Sequence, residues 1–273
     1  MMVNKPYCID LYQGDAVSDD PTPLAGLDLV AGDGIPFLIH KASEGLTETD
    51  SRYAARRAKW MAGGAVTLVD VDGTTITVAR KWGAYQFLHG ASEASAIQEA
   101  KHFITTAALE PGDEPFADWE TVGKSYSPPA ACADAFCKTV EDAIGRPCWV
   151  YGGNVPREQL SFANIPDAML EAFAARALWF CQYGPFNPKE LPRPWQAVGY
   201  PILHQDDGDT YGPGPHRIPG ITTLCDNSTV IGPMTVAKLA AAWGTPGKSV
   251  PATAAVSPAT SGGSIWQRLF ARL

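Results

Sequence analysis

Hydrophobic positions along the chain gather into short runs rather than long amphipathic stretches. Eight such runs recur: YCIDLYQ (7–13), PFLIHKAS (36–43), KWGAYQFLH (81–89), PFADWE (115–120), PCWVYGG (147–153), ALWFCQYG (177–184), YPILHQDDG (200–208) and ITTLCDNSTV (221–230). Near-continuous apolar runs of this length are the pattern of strands covered on both faces. Between the early runs the period becomes helical. Residues 50–62 follow Asp50 and carry Tyr53, Arg56, Arg57 and Trp60 at helical spacing; 93–109 follow Ser92; 128–144 open on Ser127-Pro128 and stop at Gly145. Strands alternating with helices predict a parallel sheet, and eight of them predict a closed α/β barrel. Later runs are joined by Pro- and Gly-rich pieces such as GPFNPKELPRPW, so helices there are expected to be short or missing.

Two segments stand outside this alternation. TLVDVDGTTITV (67–78) alternates around Asp72-Gly73, a hairpin signature, and reads as a surface decoration in preference to a flap over a substrate. Residues 234–243 read as a closing helix, which ends a barrel domain over 1–243. Residues 244–263 have linker composition, and 264–273 place Ile265, Trp266, Leu269, Phe270 and Leu273 on one stripe beside Arg268 and Arg272. That short basic tail is expected either to anchor the protein to an anionic wall polymer or membrane, or to dock weakly.

Composition narrows the classes. The chain has 273 residues, 45% hydrophobic, which excludes a wholly disordered protein. A net charge of −8 argues against nucleic acid as partner. No Asp or Glu follows Asp226, so the acidity lies in residues 1–226. No apolar run reaches the ~18 residues of a membrane span. The start, MMVNKPYCID, has no apolar core of a secretory leader, so the expectation is synthesis in the cytoplasm without a signal peptide. The six cysteines form no CxxC and the five histidines no HxH or HExxH; reduced buried thiols are expected for a chain made in the cytosol, or a disulfide framework if it works outside the cell, with no metal and no cofactor.

Candidate chemistry lies in carboxylates at strand ends, where parallel barrels carry their catalytic groups. Asp10 lies in the first run, Asp118 and Glu120 close the fourth, and Asp226 lies in the eighth. Residues i and i+2 of a strand share a face, so Asp118 and Glu120 should project together. First and last strands of a closed barrel are neighbours, which brings Asp10 to Asp226. Four acids in one cleft cannot all ionise cheaply, so at least one should keep its proton near neutral pH. A protonated carboxyl beside charged ones is what glycoside hydrolysis requires.

The flanking residues carry a resemblance. Asp10-Leu11-Tyr12-Gln13-Gly14, Ile39-His40-Lys41-Ala42-Ser43-Glu44-Gly45, Gly83-Ala84-Tyr85-Gln86-Phe87 and Asp118-Trp119-Glu120 resemble, in order, the first four strand motifs of family 25 glycoside hydrolases, lysozymes of the Chalaropsis type. Val150-Tyr151-Gly152-Gly153, Trp179-Phe180-Cys181-Gln182-Tyr183, Leu203-His204-Gln205 and Cys225-Asp226-Asn227 resemble the remaining four. The resemblance implies an irregular barrel of eight strands and about five helices, with peptidoglycan as substrate. The bond cut would be the β-1,4 link between N-acetylmuramic acid and N-acetylglucosamine, in phage-endolysin-like cell lysis. It implies Glu120 as general acid, Asp118 as transition-state stabiliser or orienter of the acetamido group, and Asp10 and Asp226 as the rest of an acidic floor.

Tyr85, Tyr151 and Tyr183 sit in matching motifs and are candidates for sugar stacking, ahead of Trp82, Trp119, Trp179 and Trp195. Gln205 is a further substrate-binding candidate. Lys41 and Glu44 either contact sugar or form an ion pair that supports the site. Two positions depart from the family pattern in ways that bear on the cleft: Gln86 replaces a histidine, with His89 three residues on, and His204, in a seventh strand that reads His204-Gln205-Asp206, stands where tryptophan is usual; His40 is a further variation in the second-strand motif, and the 67–78 hairpin is extra. Gln86 and His204 leave open a non-catalytic glycan-binding barrel of a phage particle. A metal-dependent phosphodiesterase using the same acids as ligands is a third reading.

Overall fold

Eight strands close into a barrel in the computed structural model, which describes residues 6–18, 25–123, 125–161 and 164–245. They are β1 (Cys8–Leu11), β2 (Phe37–Glu44), β3 (Lys81–Phe87), β4 (Glu114–Asp118), β5 (Trp149–Gly152), β6 (Leu178–Cys181), β7 (Leu203–Asp207) and β8 (Asp226–Thr229). Each pairs with the next, and β1 pairs with both β2 and β8. The expected α/β barrel is therefore present, with one difference. Strands β1 to β7 run parallel, but β8 is antiparallel to both neighbours. The cause is local. No helix lies among residues 208–225, and without a crossover the chain cannot return to the far end to start another parallel strand. It turns back at the mouth instead.

Eight α-helices occur among the described residues, where about five were expected: α1 (Ala25–Gly32), α2 (Tyr53–Met61), α3 (Glu93–Ala107), α4 (Ala130–Ile144), α5 (Asn154–Ser161), α6 (Asp167–Ala174), α7 (Arg193–Gln196) and α8 (Val236–Ala242). The additional ones are short, and α7 has only four residues. Helix α3 starts on the expected Ser92, with a reciprocal capping box to Ser95. Helix α4 starts two residues later than its sequence suggests. Its N-cap is Pro129, and the Ser127 hydroxyl pairs with Thr121 Oγ1 at 3.1 Å. None of these helices is long and apolar enough to cross a membrane.

The barrel floor is aromatic. Phe116 lies 5.5 Å from Trp149 and 5.4 Å from Trp179, ring centre to ring centre, and Trp243 packs on Trp149 at 5.4 Å. Trp243, just past α8, plugs the bottom and donates its indole N–H to Trp82 O at 2.9 Å. Gly83 makes room for this stack, since a Cβ there would stand 2.7 Å from the Phe116 ring and 2.9 Å from Ile39.

The hairpin forms as expected, Val66–Val69 against Thr75–Val78. It lies at the floor, away from the mouth. Its Asp70 carboxylate accepts the N–H groups of Val236 and Ala237 at 2.9 and 3.0 Å, completing the N-terminus of α8. A flap over the cleft is thereby excluded. The linker beyond 245 and the 264–273 tail lie outside the described residues, as does the chain start before residue 6.

Candidate active site

At the mouth a cleft of about 360 Å³ opens, lined by Asp10, Tyr12, Lys41, Glu44, Tyr85, Phe87, Asp118, Glu120, Tyr151, Trp179 and Asp226. All four acids read from the sequence are in it, brought together by two devices. Asp118 ends β4 and Glu120 follows two residues on, so both face inward. Trp119 between them points outward; its indole N–H donates to Pro128 O at 2.7 Å and its ring stacks on Phe173 at 5.5 Å. Asp10 and Asp226 are direct cross-strand partners of β1 and β8. The reversal of β8 makes this possible: Asp226, as its first residue, lies at the mouth beside the end of β1.

Crowding shifts every one of these carboxyls upward. Asp10 rises well above the ordinary aspartate value through burial, then the charges of Asp226, Asp15 and Glu120. Asp118 rises strongly through burial, then Glu120 and Asp10, with Lys41 opposing. Glu120 rises through burial and the Asp226 charge, with the Tyr151 hydroxyl opposing. Asp226 is pushed to about 6 by burial, opposed by a 2.9 Å hydrogen bond from the Asp209 N–H to its Oδ1. Asp10 Oδ2 and Asp118 Oδ1 are buried without any hydrogen-bond partner. A buried carboxyl oxygen left unpaired costs stability unless something else uses it.

Sequence reasoning missed a fifth acid. Asp15, in the loop after β1, accepts the Tyr12 N–H at 2.8 Å and is itself raised to about 6, chiefly by burial. The loop is fixed from below by Arg56, fully buried on α2, which donates to Tyr12 O at 2.9 Å and Asp15 O at 2.5 Å. Arg56 also reaches His40 Nε2 at 3.1 Å, while His40 Nδ1 bonds Lys41 O at 2.8 Å. Both contacts are met by a neutral ring with its proton on Nδ1, and burial pushes His40 down to about 3. The variation at His40 is thus a support beneath the acid floor.

The substrate-binding candidates divide. Tyr85 and Tyr151 line the cleft, and Trp179 joins them, its ring 4.2 Å from Tyr151 and its N–H on Ser228 Oγ at 2.9 Å. Trp82, Trp119 and Trp195 are buried away from it. Tyr12 and Phe87 line it without having been singled out. Lys41 bonds Glu44 at 2.9 Å and sits 5.1 Å over the Tyr12 ring; Glu44 in turn meets His89 Nε2 at 3.1 Å. Lys41 is therefore both an ion-pair partner and part of the wall. Gln205 is fully buried, does not line the cleft, and its Oε1 and Nε2 have no hydrogen-bond partner among the described residues. Tyr183 is half exposed and is not among the residues that line the cleft.

Neither departure from the family pattern enters the cleft. Gln86 is buried, bonded to the Ser43 hydroxyl and donating to Gly45 O at 2.9 Å. His204 Nε2 bonds Gln182 O at 2.8 Å. Among the described residues no group of three or more His, Cys, Asp or Glu is arranged to hold a metal ion. All six cysteines are free, and only Cys181 is not fully buried.

No protein-family profile matches the chain, and no curated protein does. Solved structures do match. The chain is 18% identical to a muramidase from Acremonium alcalophilum, with TM-score 0.57 over 85% of this chain and 96% of that one. A family 25 glycosyl hydrolase from Bacillus anthracis gives 15% identity and TM-score 0.57, over 90% and 96%. The CTP1L endolysin gives 20% and 0.55, over 82% of this chain and 66% of the endolysin. The chain therefore spans only about two thirds of that endolysin's length. At these identities the likeness establishes the barrel fold.

Proposed function

We propose that this protein is a peptidoglycan muramidase, a glycoside hydrolase that cuts the β-1,4 bond between N-acetylmuramic acid and N-acetylglucosamine. One observation carries the reading: Asp10 Oδ2 and Asp118 Oδ1, buried and unpaired, face a cleft that also holds Glu120. Buried acids with no structural partner are suited to a cationic transition state.

In this reading Glu120 is the general acid. Burial and the Asp226 charge hold its proton, so it can protonate the glycosidic oxygen as the bond breaks. Asp118, its Oδ1 buried and unpaired beside Glu120, faces the sugar ring. It stabilises the oxocarbenium-like state or orients the acetamido group. Asp10 and Asp226 add negative potential beneath. Tyr85, Tyr151 and Trp179 offer faces to neutral sugar rings, with Tyr183, Lys41 and Gln205 around them. The fold likeness to a muramidase and to an endolysin supports action on the bacterial wall. The basic 264–273 segment is proposed to bring the acidic barrel to an anionic wall polymer or membrane; deleting it should weaken salt-sensitive binding to walls or vesicles, and unchanged binding refutes that role.

Glu120→Gln should slow the clearing of purified cell walls by about 10²-fold or more with the unfolding midpoint not lowered. Clearing at the wild-type rate refutes the assignment. Mass spectrometry of the digest identifies the bond cut and the sugar with the new reducing end. A non-catalytic glycan-binding barrel would release no reducing ends; Gln86 and His204, the departures that left it open, are occupied elsewhere.

A further inference from the structure

We propose, resting on the muramidase reading, that Tyr211 and Tyr183 form a sugar subsite at the edge of the acid cluster. It would take an N-acetylhexosamine ring of the glycan strand beyond the two that flank the scissile bond. The two rings stack in parallel, 5.6 Å between centres and 13° between planes. Both are open to solvent, Tyr183 by 47% and Tyr211 by 65%. With one face against Tyr183 and most of its surface exposed, Tyr211 presents its other face outward. A flat, doubled aromatic surface suits the apolar C–H face of a β-linked pyranose, and tyrosine loses little side-chain freedom on binding.

The backbone is built to hold this pair in place. Gly208 and Tyr211 close a tight turn through two backbone bonds, Tyr211 N–H to Gly208 O at 2.7 Å and Gly208 N–H to Tyr211 O at 3.0 Å. The Tyr183 ring lies against Gly208, where a Cβ would stand 2.7 Å from it. Between them Asp209 adopts a left-handed φ of 49°, which is uncommon for a residue with a side chain. That conformation accompanies the bond of its N–H to the Asp226 carboxylate. One turn thus carries an exposed aromatic face and touches a cleft acid. Neither tyrosine lines the cleft itself, but the Asp209 bond to Asp226 and the Asp226 and Glu120 charges felt by Tyr183 place the platform beside it, and a neutral sugar is not repelled by the surrounding acids.

The test compares the full-length protein with Tyr211→Ala and Tyr211→Phe on peptide-free glycan strands of four and eight sugars. On eight sugars Tyr211→Ala should lose about tenfold in kcat/KM, chiefly through KM, and about fivefold less than that on four sugars. Tyr211→Phe, which keeps the ring face, should restore the longer substrate. Equal losses at both lengths, no loss, or failure of Phe to rescue overturns the subsite. Titration with the N-acetylglucosamine hexamer separates this from the muramidase reading. If the wild type cleaves no glycan, that reading fails, and weaker hexamer binding by Tyr211→Ala still supports the platform. Unchanged hexamer binding overturns it.

Discussion

Asp226→Asn should make the protein more stable at pH 8 while removing its activity. The carboxyl is raised from an ordinary value near 3.8 to about 6, first by burial and then by Asp209 and Asp207. Well below pH 4 the folded and unfolded states are both protonated, so no penalty exists. Between about 4 and 6 the folded protein keeps a proton that the unfolded chain has released, so stability falls as pH rises. Above 6 the whole cost is present: about 3 kcal/mol from the displacement, and about 2 once water reaching the half-buried group is allowed for. Asparagine cannot ionise, and its Oδ1 can still accept the Asp209 N–H that bonds Asp226 at 2.9 Å. The variant should therefore gain about 2 kcal/mol at pH 8, about 4–8 °C in Tm for a chain of this size, and only about half a kcal/mol at pH 4. Thermal unfolding at both pH values, with wall clearing followed in parallel, makes the comparison. A variant no more stable than wild type at pH 8, or equally improved at pH 4, would refute the electrostatic account.

Other changes probe the surrounding structure. Asp70→Ala leaves two N–H groups of α8 without acceptors; it should cost about 1–3 kcal/mol in denaturant unfolding without altering kcat of the folded fraction, and a changed kcat would tie the hairpin to the mouth. Arg56→Met strips donors from Tyr12 O, Asp15 O and His40; a loss of about 2–4 kcal/mol with raised KM is expected, and unchanged KM would mean the loop holds without it. Wall clearing should persist in EDTA, since the proposed mechanism uses the cleft acids as proton donor and charges rather than as metal ligands. Activity lost to EDTA and regained with a divalent cation would favour the phosphodiesterase reading.

Much of this arrangement is legible in the sequence because its causes are local. The i, i+2 rule places Asp118 and Glu120 on one face without knowledge of the rest of the chain. The proximity of Asp10 and Asp226 needs only barrel closure; of the strand directions, only the reversal of β8 departs from the parallel expectation. Apolar runs mark where strands lie and say nothing of their polarity; only the missing helix in 208–225 carried that information. Helix α1 went unread, its AGLDLVAG being too short for a clear helical period. Asp15 was missed because a loop acid has no periodic signature, and its role depends on Arg56 reaching across from α2. The same holds for Tyr211, whose meaning comes from Tyr183 lying beside it.

Holding several carboxyls unpaired works against folding, so the fold must draw stability from somewhere that the chemistry does not touch. The barrel floor is that place. Phe116, Trp149, Trp179 and Trp243 are all buried, and each aromatic of this size removes about 150–250 Å² from water, worth about 4–6 kcal/mol as an upper bound. One such ring outweighs the roughly 2–3 kcal/mol assigned to Asp226, and four together exceed a cluster of such costs. Of these rings only Trp179 also lines the cleft, so stability and chemistry are mostly carried by different layers. Separation along the barrel axis explains how the chain can keep an acid cluster that each neutralising substitution would relieve. Selection can retain the carboxylates at the mouth because the aromatic layer beneath them bears the cost.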